Sequence, residues 1–232
     1  MNRIGIIGAM EEEVNIIKNQ MQDVTIQTIA SMDFCEGFLK GKEVIVVRCG
    51  IGKVNAAICT QILADRYQVE AVINTGVAGS LRNEIDIADI VLSTDTLQHD
   101  MDATGFGYEP GVIPRMEQSI FEADKKLLAL AKEVCHKVIP EVGVHTGRIV
   151  SGDQFISDSK KKTWLVDKFQ GYCTEMEGAA IAQAAYLNHL PFLIIRAISD
   201  KADQSAEMAY SEFEELAISQ TVKLIHGLVE VL

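Results

Sequence analysis

The feature that most restricts the fold is an alternation. Short runs rich in Val and Ile are interleaved with longer stretches of helical periodicity. The runs lie at residues 3–8, 43–49, 71–75, 87–94, 143–151 and 191–199, and several end at Gly, Ser or Asp, as strands do. The helical patterns lie at 11–21, 54–67, 124–138, 159–169, 177–188 and 211–231, the last carrying Phe213, Leu216, Ala217, Leu224 and Leu228 at helical spacing. A weaker, hairpin-like pair fits residues 24–38. Strands alternating with helices pack as an α/β layer fold on a parallel or mixed sheet. With only four prolines, no low-complexity stretch and no internal repeat, the chain reads as a single domain over residues 1–232. The least regular part, residues 95–120, is long for a connection, and such loops are usually functional or at an interface.

Charge and cysteine usage exclude several classes of function. Lys and Arg number 21 against 33 Asp and Glu, a formal net charge of −12. Nucleic acids and anionic membrane surfaces select for basic patches, so neither is an expected partner. No segment reaches the ~18 apolar residues that span a bilayer. The N-terminus passes straight into Ile4-Gly5-Ile6-Ile7 without a basic region, which predicts no secretory leader. The five cysteines (Cys35, Cys49, Cys59, Cys135, Cys173) are odd in number, scattered, and form no CxxC pair. Together these features point to a reducing cytosol. The five histidines form no HExxH pattern, and there is no GxSxG elbow, so the sequence supports neither a metal nor a serine-nucleophile mechanism.

Six stretches carry candidate chemistry. In GAMEEEV (residues 8–14) a strand ends in glycine and turns into a helix, a place suited to holding an anion, yet three carboxylates follow. At ~100° per residue, an apolar stripe through Met10, Val14, Ile17 and Met21 leaves Glu13 at its edge, with Glu12 opposite and Glu11 on the far flank. Glu13 is therefore the carboxylate expected to face inward beyond the first strand, where ligands sit in open α/β sheets. A fully solvated acidic turn fits the pattern equally. CGIGKVNAA (49–57) and NTGVAGS (74–80) are glycine-rich turns without phosphate-loop spacing. In SGDQFI (151–156), Phe155 can stack on a flat ring or simply close the core. In TEMEGAAIAQAA (174–185), Glu175 and Glu177 flank Met176. A carboxylate there can accept the two hydroxyls of a ribose diol or merely start the helix. In LIIRAISDKAD (193–203), Arg196 interrupts an apolar strand and needs an acidic partner that the local sequence does not supply. Asp200, at the strand end, is either a helix-type cap or, if poorly solvated, a proton donor.

Taken together and in this order, GIIGAMEEEV, GIGKVNAA, NTGVAG, HDMDATGFGYEPG, IVSGDQFI, TEMEGAAIA and RAISDKAD resemble the 5′-methylthioadenosine/S-adenosylhomocysteine nucleosidases, within the wider purine nucleoside phosphorylase-like group. The resemblance runs from about residue 3 to the last helix. It implies an α/β fold around a mixed, partly barrel-like sheet. The implied reaction is hydrolysis of the N-glycosidic bond of adenine nucleosides with a 5′-thioether, without metal or organic cofactor. By matching position, Glu13 would activate water and Asp200 would protonate adenine N7. Glu177 would accept the ribose diol, with Met176 packed on the sugar. Phe155 would stack on the purine and the backbone at Ile156 would read its edge. Ser199 and Arg196 would support the aspartate and the water site, and Met10, Ile51 and Tyr210 would line the sugar and 5′-thio side. The resemblance also implies a homodimer, with the loop of residues 100–115 at the interface and Phe106 and Pro114 reaching into the partner's thioalkyl pocket.

Two positions depart from the family pattern. Val77 stands where Ser or Thr is frequent, and its side chain cannot donate the hydrogen bond a hydroxyl would. Tyr210 stands in place of a phenylalanine. Three other activities stay open at this stage. An aminofutalosine nucleosidase would share these motifs. A purine nucleoside phosphorylase would need cationic phosphate ligands where this chain has Ala9-Met10-Glu11. A non-enzymatic nucleoside-binding protein would bind without turnover. The sequence does not rank methylthioadenosine, S-adenosylhomocysteine and 5′-deoxyadenosine as substrates.

Overall fold

A computed structural model describes all of residues 1–232. In chain order the elements are β1 (Arg3–Gly8), α1 (Glu11–Asn19), β2 (Gln22–Ile29), β3 (Met32–Leu39), β4 (Lys42–Arg48), α2 (Lys53–Asp65), β5 (Ala71–Ser80) and β6 (Ile90–Gln98). A single 3-10 turn (Thr104–Phe106) interrupts the long loop. Then come β7 (Phe121–Glu122), α3 (Lys125–Val138), β8 (Val144–Ser151), α4 (Ser159–Phe169), β9 (Cys173–Glu175), α5 (Gly178–Leu187), β10 (Phe192–Asp200) and α6 (Ala206–Val231).

All ten strands join one mixed sheet, ordered β10-β6-β8-β9-β5-β1-β4-β3-β2, with β7 on β6. β10 also pairs with β5, which closes β10, β6, β8, β9 and β5 into a five-stranded barrel. β1, β4, β3 and β2 continue from β5 as an open wing. The implied α/β fold with a partly barrel-like mixed sheet is therefore what the chain adopts, flanked by six helices. Closure explains the unbroken burial: all ten residues of β5 and all nine of β10 are buried, as strands covered on both faces must be. The main core brings Ile6, Ile73 and Ile195 of the sheet together with Leu224 and Leu228 of α6. Asp124 and Asp158 cap α3 and α4 by accepting hydrogen bonds from backbone N–H groups of the first turn.

The structure corrects the strand boundaries where the site is built. NTGVAGS is not a turn after a strand, because β5 runs through it to Ser80. Glycine normally weakens a strand, but here the missing side chains make room. A Cβ on Gly76 would collide with Arg196 Nη1 and lie 2.5 Å from Glu13 Oε1, and one on Gly79 would lie 2.7 Å from Asp200 Oδ1. β9 was not foreseen. It has three residues, Cys-Thr-Glu, too few for a periodicity, and it exists because β5 and β8 leave a gap that closure fills. The weak hairpin is a pair of eight-residue strands, β2 and β3. The last helix starts at Ala206, five residues before the expected start at 211. The register of β10 against β5 shifts between Ile198 and Asp200, a bulge that re-aims the strand end. All five cysteines are free and buried, and no helix is long and apolar enough to cross a membrane.

Candidate active site

The C-terminal ends of β1, β5 and β10 and the segment from β9 into α5 meet around one cavity of about 190 Å³. Of the thirteen residues singled out from the sequence, Met10, Glu13, Ile51, Phe155, Met176, Glu177, Ser199, Asp200 and Tyr210 line it, and Val77 and Glu175 join them.

Glu13 is the third residue of α1 and is 2% exposed, whereas Glu11 and Glu12 face solvent. The helical geometry read from the sequence thus separates the three acids correctly. Glu13 Oε2 accepts hydrogen bonds from the N–H groups of Ala9 (2.6 Å) and Met10 (3.0 Å), and Oε1 from the N–H of Val77 (3.2 Å). The bond from Met10, the N-cap residue, is the one that a capping-box glutamate makes, although Met10 has no side-chain cap to return. The turn after β1 is therefore an anion site that the chain fills with its own carboxylate. Burial raises the pKa of Glu13, while the charge of Arg196 and the three N–H groups hold it down. Val77 contributes through its backbone, so the missing hydroxyl does not leave Glu13 unheld.

Arg196 does not reach the cavity wall. It is buried beneath the carboxylates, donating from Nη2 to Asn74 Oδ1 (2.7 Å) and to Glu175 Oε2, with Glu177 Oε2 at 3.7 Å. Its missing acidic partner is thus Glu175, two strands away, which sequence reasoning noticed but gave no role. Glu175 is a hub: it also accepts from the N–H groups of Glu177 (3.0 Å) and Gly178 (2.7 Å) and from Ser151 Oγ. Ser151 in turn accepts from the N–H of Ala179 (2.7 Å). This network fixes the start of α5 and with it Glu177. Glu177 Oε1 accepts from the N–H of Gly52 (2.8 Å), a residue whose φ of +97° favours glycine. Burial and the neighbouring Glu175 push the Glu177 pKa up to about 7, against the pull of Arg196.

Asp200 ends β10 immediately after the bulge. Its Oδ1 accepts from the N–H of Ala202 (2.7 Å) and its Oδ2 from Ser199 Oγ (2.9 Å). It is buried, and burial raises its pKa, opposed by those two hydrogen bonds. Across the cavity mouth, Phe155 (48% exposed) meets the ring of Tyr210 edge-on at 6.0 Å. The Tyr210 hydroxyl, which a phenylalanine would lack, donates to Glu214 Oε1 (2.8 Å) and approaches Met10 Sδ (3.3 Å).

Three other sequence-assigned residues have side chains outside the cavity, among them Ile156, whose assigned role is that of its backbone. The Ile156 side chain packs into a small cluster with Leu165 and Phe169 rather than onto the cavity. Phe106 is 88% exposed on the long loop, and Pro114 is half-buried farther along it, both outside this cavity. Lys53, the lone cation of the GIGK turn, is engaged with Asp100 (2.6 Å) and Gln98 (2.9 Å) and is not free for a phosphate. No three His, Cys, Asp or Glu side chains come together in the geometry of a metal site.

The chain is similar to known proteins along its whole length. The phosphorylase superfamily model matches residues 3–230. A 5′-methylthioadenosine/S-adenosylhomocysteine nucleosidase of Exiguobacterium is 44% identical over 224 residues, covering 96% of this chain and 95% of that one. The crystal structure of the Neisseria meningitidis nucleosidase of the same name, in complex with methylthio-immucillin-A, superposes with a TM-score of 0.96 at 36% identity over the whole of both chains. The futalosine hydrolase of Helicobacter pylori superposes at 0.94 and 34% identity, covering 100% of this chain and 98% of that one. The chain belongs to the phosphorylase superfamily and, within it, to the N-glycosyl hydrolases named 5′-methylthioadenosine/S-adenosylhomocysteine nucleosidase.

Proposed function

We propose that this chain hydrolyses the N-glycosidic bond of 5′-methylthioadenosine and S-adenosylhomocysteine, and of 5′-deoxyadenosine, releasing adenine. The observation that carries the reading is the pairing of two buried carboxyl groups, Glu13 and Asp200, on one cavity, each with its pKa raised by burial. Cleavage leaves positive charge on the ribose and negative charge on the departing purine. Asp200 in its protonated form donates to N7 and improves the leaving group. Glu13, a stronger base than a solvated carboxylate, takes a proton from water and its charge stabilises the sugar cation. Each positioned acid or base is worth about 10²–10⁴ in rate. Glu177 accepts the ribose hydroxyls, Met176 packs on the sugar and Phe155 stacks on the base. Ile51, Met10 and Tyr210 offer a largely apolar wall to a 5′-thioether.

Water rather than phosphate is the nucleophile in this reading. Phosphate would need the N–H groups of Ala9 and Met10, and Glu13 already occupies them. The reading extends to a homodimer. Phe106, an aromatic ring standing in solvent on the long loop, with Pro114 farther along it, suits a pocket on a second copy. A second substrate, aminofutalosine, is favoured by the likeness to the futalosine hydrolase. Adenine release, followed side by side on the four nucleosides in phosphate-free buffer between pH 5 and 8, tests the proposal. Release from methylthioadenosine and S-adenosylhomocysteine supports it. Release from none of them rejects it, and selective turnover of aminofutalosine transfers the assignment to the second reading.

A further inference from the structure

The segment after Asp200 is held in an unusual way. Ala202 is fully buried yet has φ of +50°, in the left-handed region that non-glycine residues seldom occupy without external support. Its N–H donates to Asp200 Oδ1 at 2.7 Å. The same peptide unit carries the carbonyl of Lys201 on its other side, and that oxygen accepts from Lys162 Nζ at 2.6 Å. Lys162 lies on α4, one turn beyond Ser159, whose hydroxyl donates to Gln204 Oε1 at 2.5 Å. Residues three apart share a helix face, so the first turn of α4 ties down the 201–204 segment at two points. α4 itself follows directly from the loop that carries Phe155.

We propose that Lys162 is a positioning residue for the acid of the reaction: its ammonium grips the Lys201–Ala202 peptide by the oxygen and thereby aims that peptide's N–H at Asp200. A cation on the carbonyl strengthens the N–H as a donor, because hydrogen bonds in a chain polarise one another. Lys162 thus fixes where the Asp200 carboxyl sits and opposes, through the peptide and through its own charge, the rise that burial imposes on the Asp200 pKa. The charged groups bearing on Asp200 are Lys162 from α4 and Asp203 from its own loop, and Asp200 itself bears on Cys173 of β9. Lys201 acts on Lys162 in turn. Asp203 and Lys162 oppose each other in effect, so removing Lys162 leaves Asp203 uncompensated.

The inference rests on Asp200 acting as the proton donor, and two measurements keep it separable from that reading. The first is independent of turnover: the Asp200 carboxyl, assigned by ¹³C NMR against Asp200→Asn, is titrated in the parent, in Lys162→Met and in Lys162→Arg. Its midpoint is expected to move to higher pH in Lys162→Met and to stay near the parent in Lys162→Arg. The second is kinetic: Lys162→Met is expected to lower kcat about tenfold, as slight misplacement of a catalytic group does, with little change in KM. Lys162→Arg is expected to restore most of the rate. An unmoved Asp200 midpoint in folded Lys162→Met overturns the proposal whether or not the chain proves to be a nucleosidase. So does a Lys162→Arg variant no better than Lys162→Met.

Discussion

Arg196→Met removes the only cation among three buried carboxylates, and the structure sets the size of the effect. Arg196 is buried, bonds Glu175, stands 3.7 Å from Glu177 Oε2, and lowers the pKa of Glu13 by its charge. Met fills much of the same volume without charge, so the change isolates the electrostatics. Breaking a buried ion pair from one side costs about 3–5 kcal/mol, because the remaining charge is left uncompensated. In a chain of this length each kcal/mol shifts Tm by about 2–4 °C, so a fall of about 6–20 °C is expected near pH 8. The cost also depends on pH. Without Arg196, the folded-state pKa values of Glu13 and Glu177, already above 4.5, rise further. The folded state then binds more protons than the unfolded state, so stability falls as pH rises through that window. The penalty is therefore largest at pH 8 and shrinks toward pH 5, where protonation removes the stranded charge. Adding Glu175→Gln to the variant should recover about half of the loss at pH 8, since one of the unpaired charges is gone. Urea unfolding of parent, single and double variants at pH 5, 6.5 and 8 makes the measurement. A loss that is the same at all three pH values and unrelieved in the double variant would refute the account of Arg196 as counter-charge.

Three further outcomes are expected. Gly76→Ala forces a methyl against Arg196 Nη1 and to 2.5 Å from Glu13 Oε1, so kcat should fall about 10²-fold, with about 1–3 kcal/mol of destabilisation from overpacking, read by kinetics and thermal melts. Asp200→Asn should abolish turnover while nucleoside binding by calorimetry persists. Because burial raises the Asp200 pKa above 3.8, its charge is a burden at higher pH, and the Asn variant should be at least as stable as the parent at pH 8. Burial and Glu175 push the Glu177 pKa up to about 7, so kcat/KM should climb toward that pH. Glu177→Gln should raise KM about tenfold or more and displace the acid limb away from 7.

The layer fold was legible because strand and helix differ in period, and Val and Ile mark strands buried on both faces. Glu13 was legible as a candidate for the same reason: one turn of helix geometry assigns its face. What stayed hidden was long-range. Glu175 looked like one half of a charged pair beside Met176. Only barrel closure brings Arg196 of β10 against it, and pairings between strands leave no local periodicity. Gly76 and Gly79 read as a turn because glycine usually signals one. In a strand they signal what lies across from them, here Arg196, Glu13 and Asp200. For Asp200 the local pattern left a cap and a proton donor equally open, since the bulge that turns it inward is a register shift between two strands.

The most direct test of the whole account is the fate of the sugar. The protein is incubated with 5′-methylthioadenosine with and without added inorganic phosphate, and the products are resolved by mass. If Glu13 holds the anion site and directs water, adenine appears with free methylthioribose at a rate that phosphate does not change. Adenine accompanied by methylthioribose 1-phosphate, or released only when phosphate is present, would contradict it.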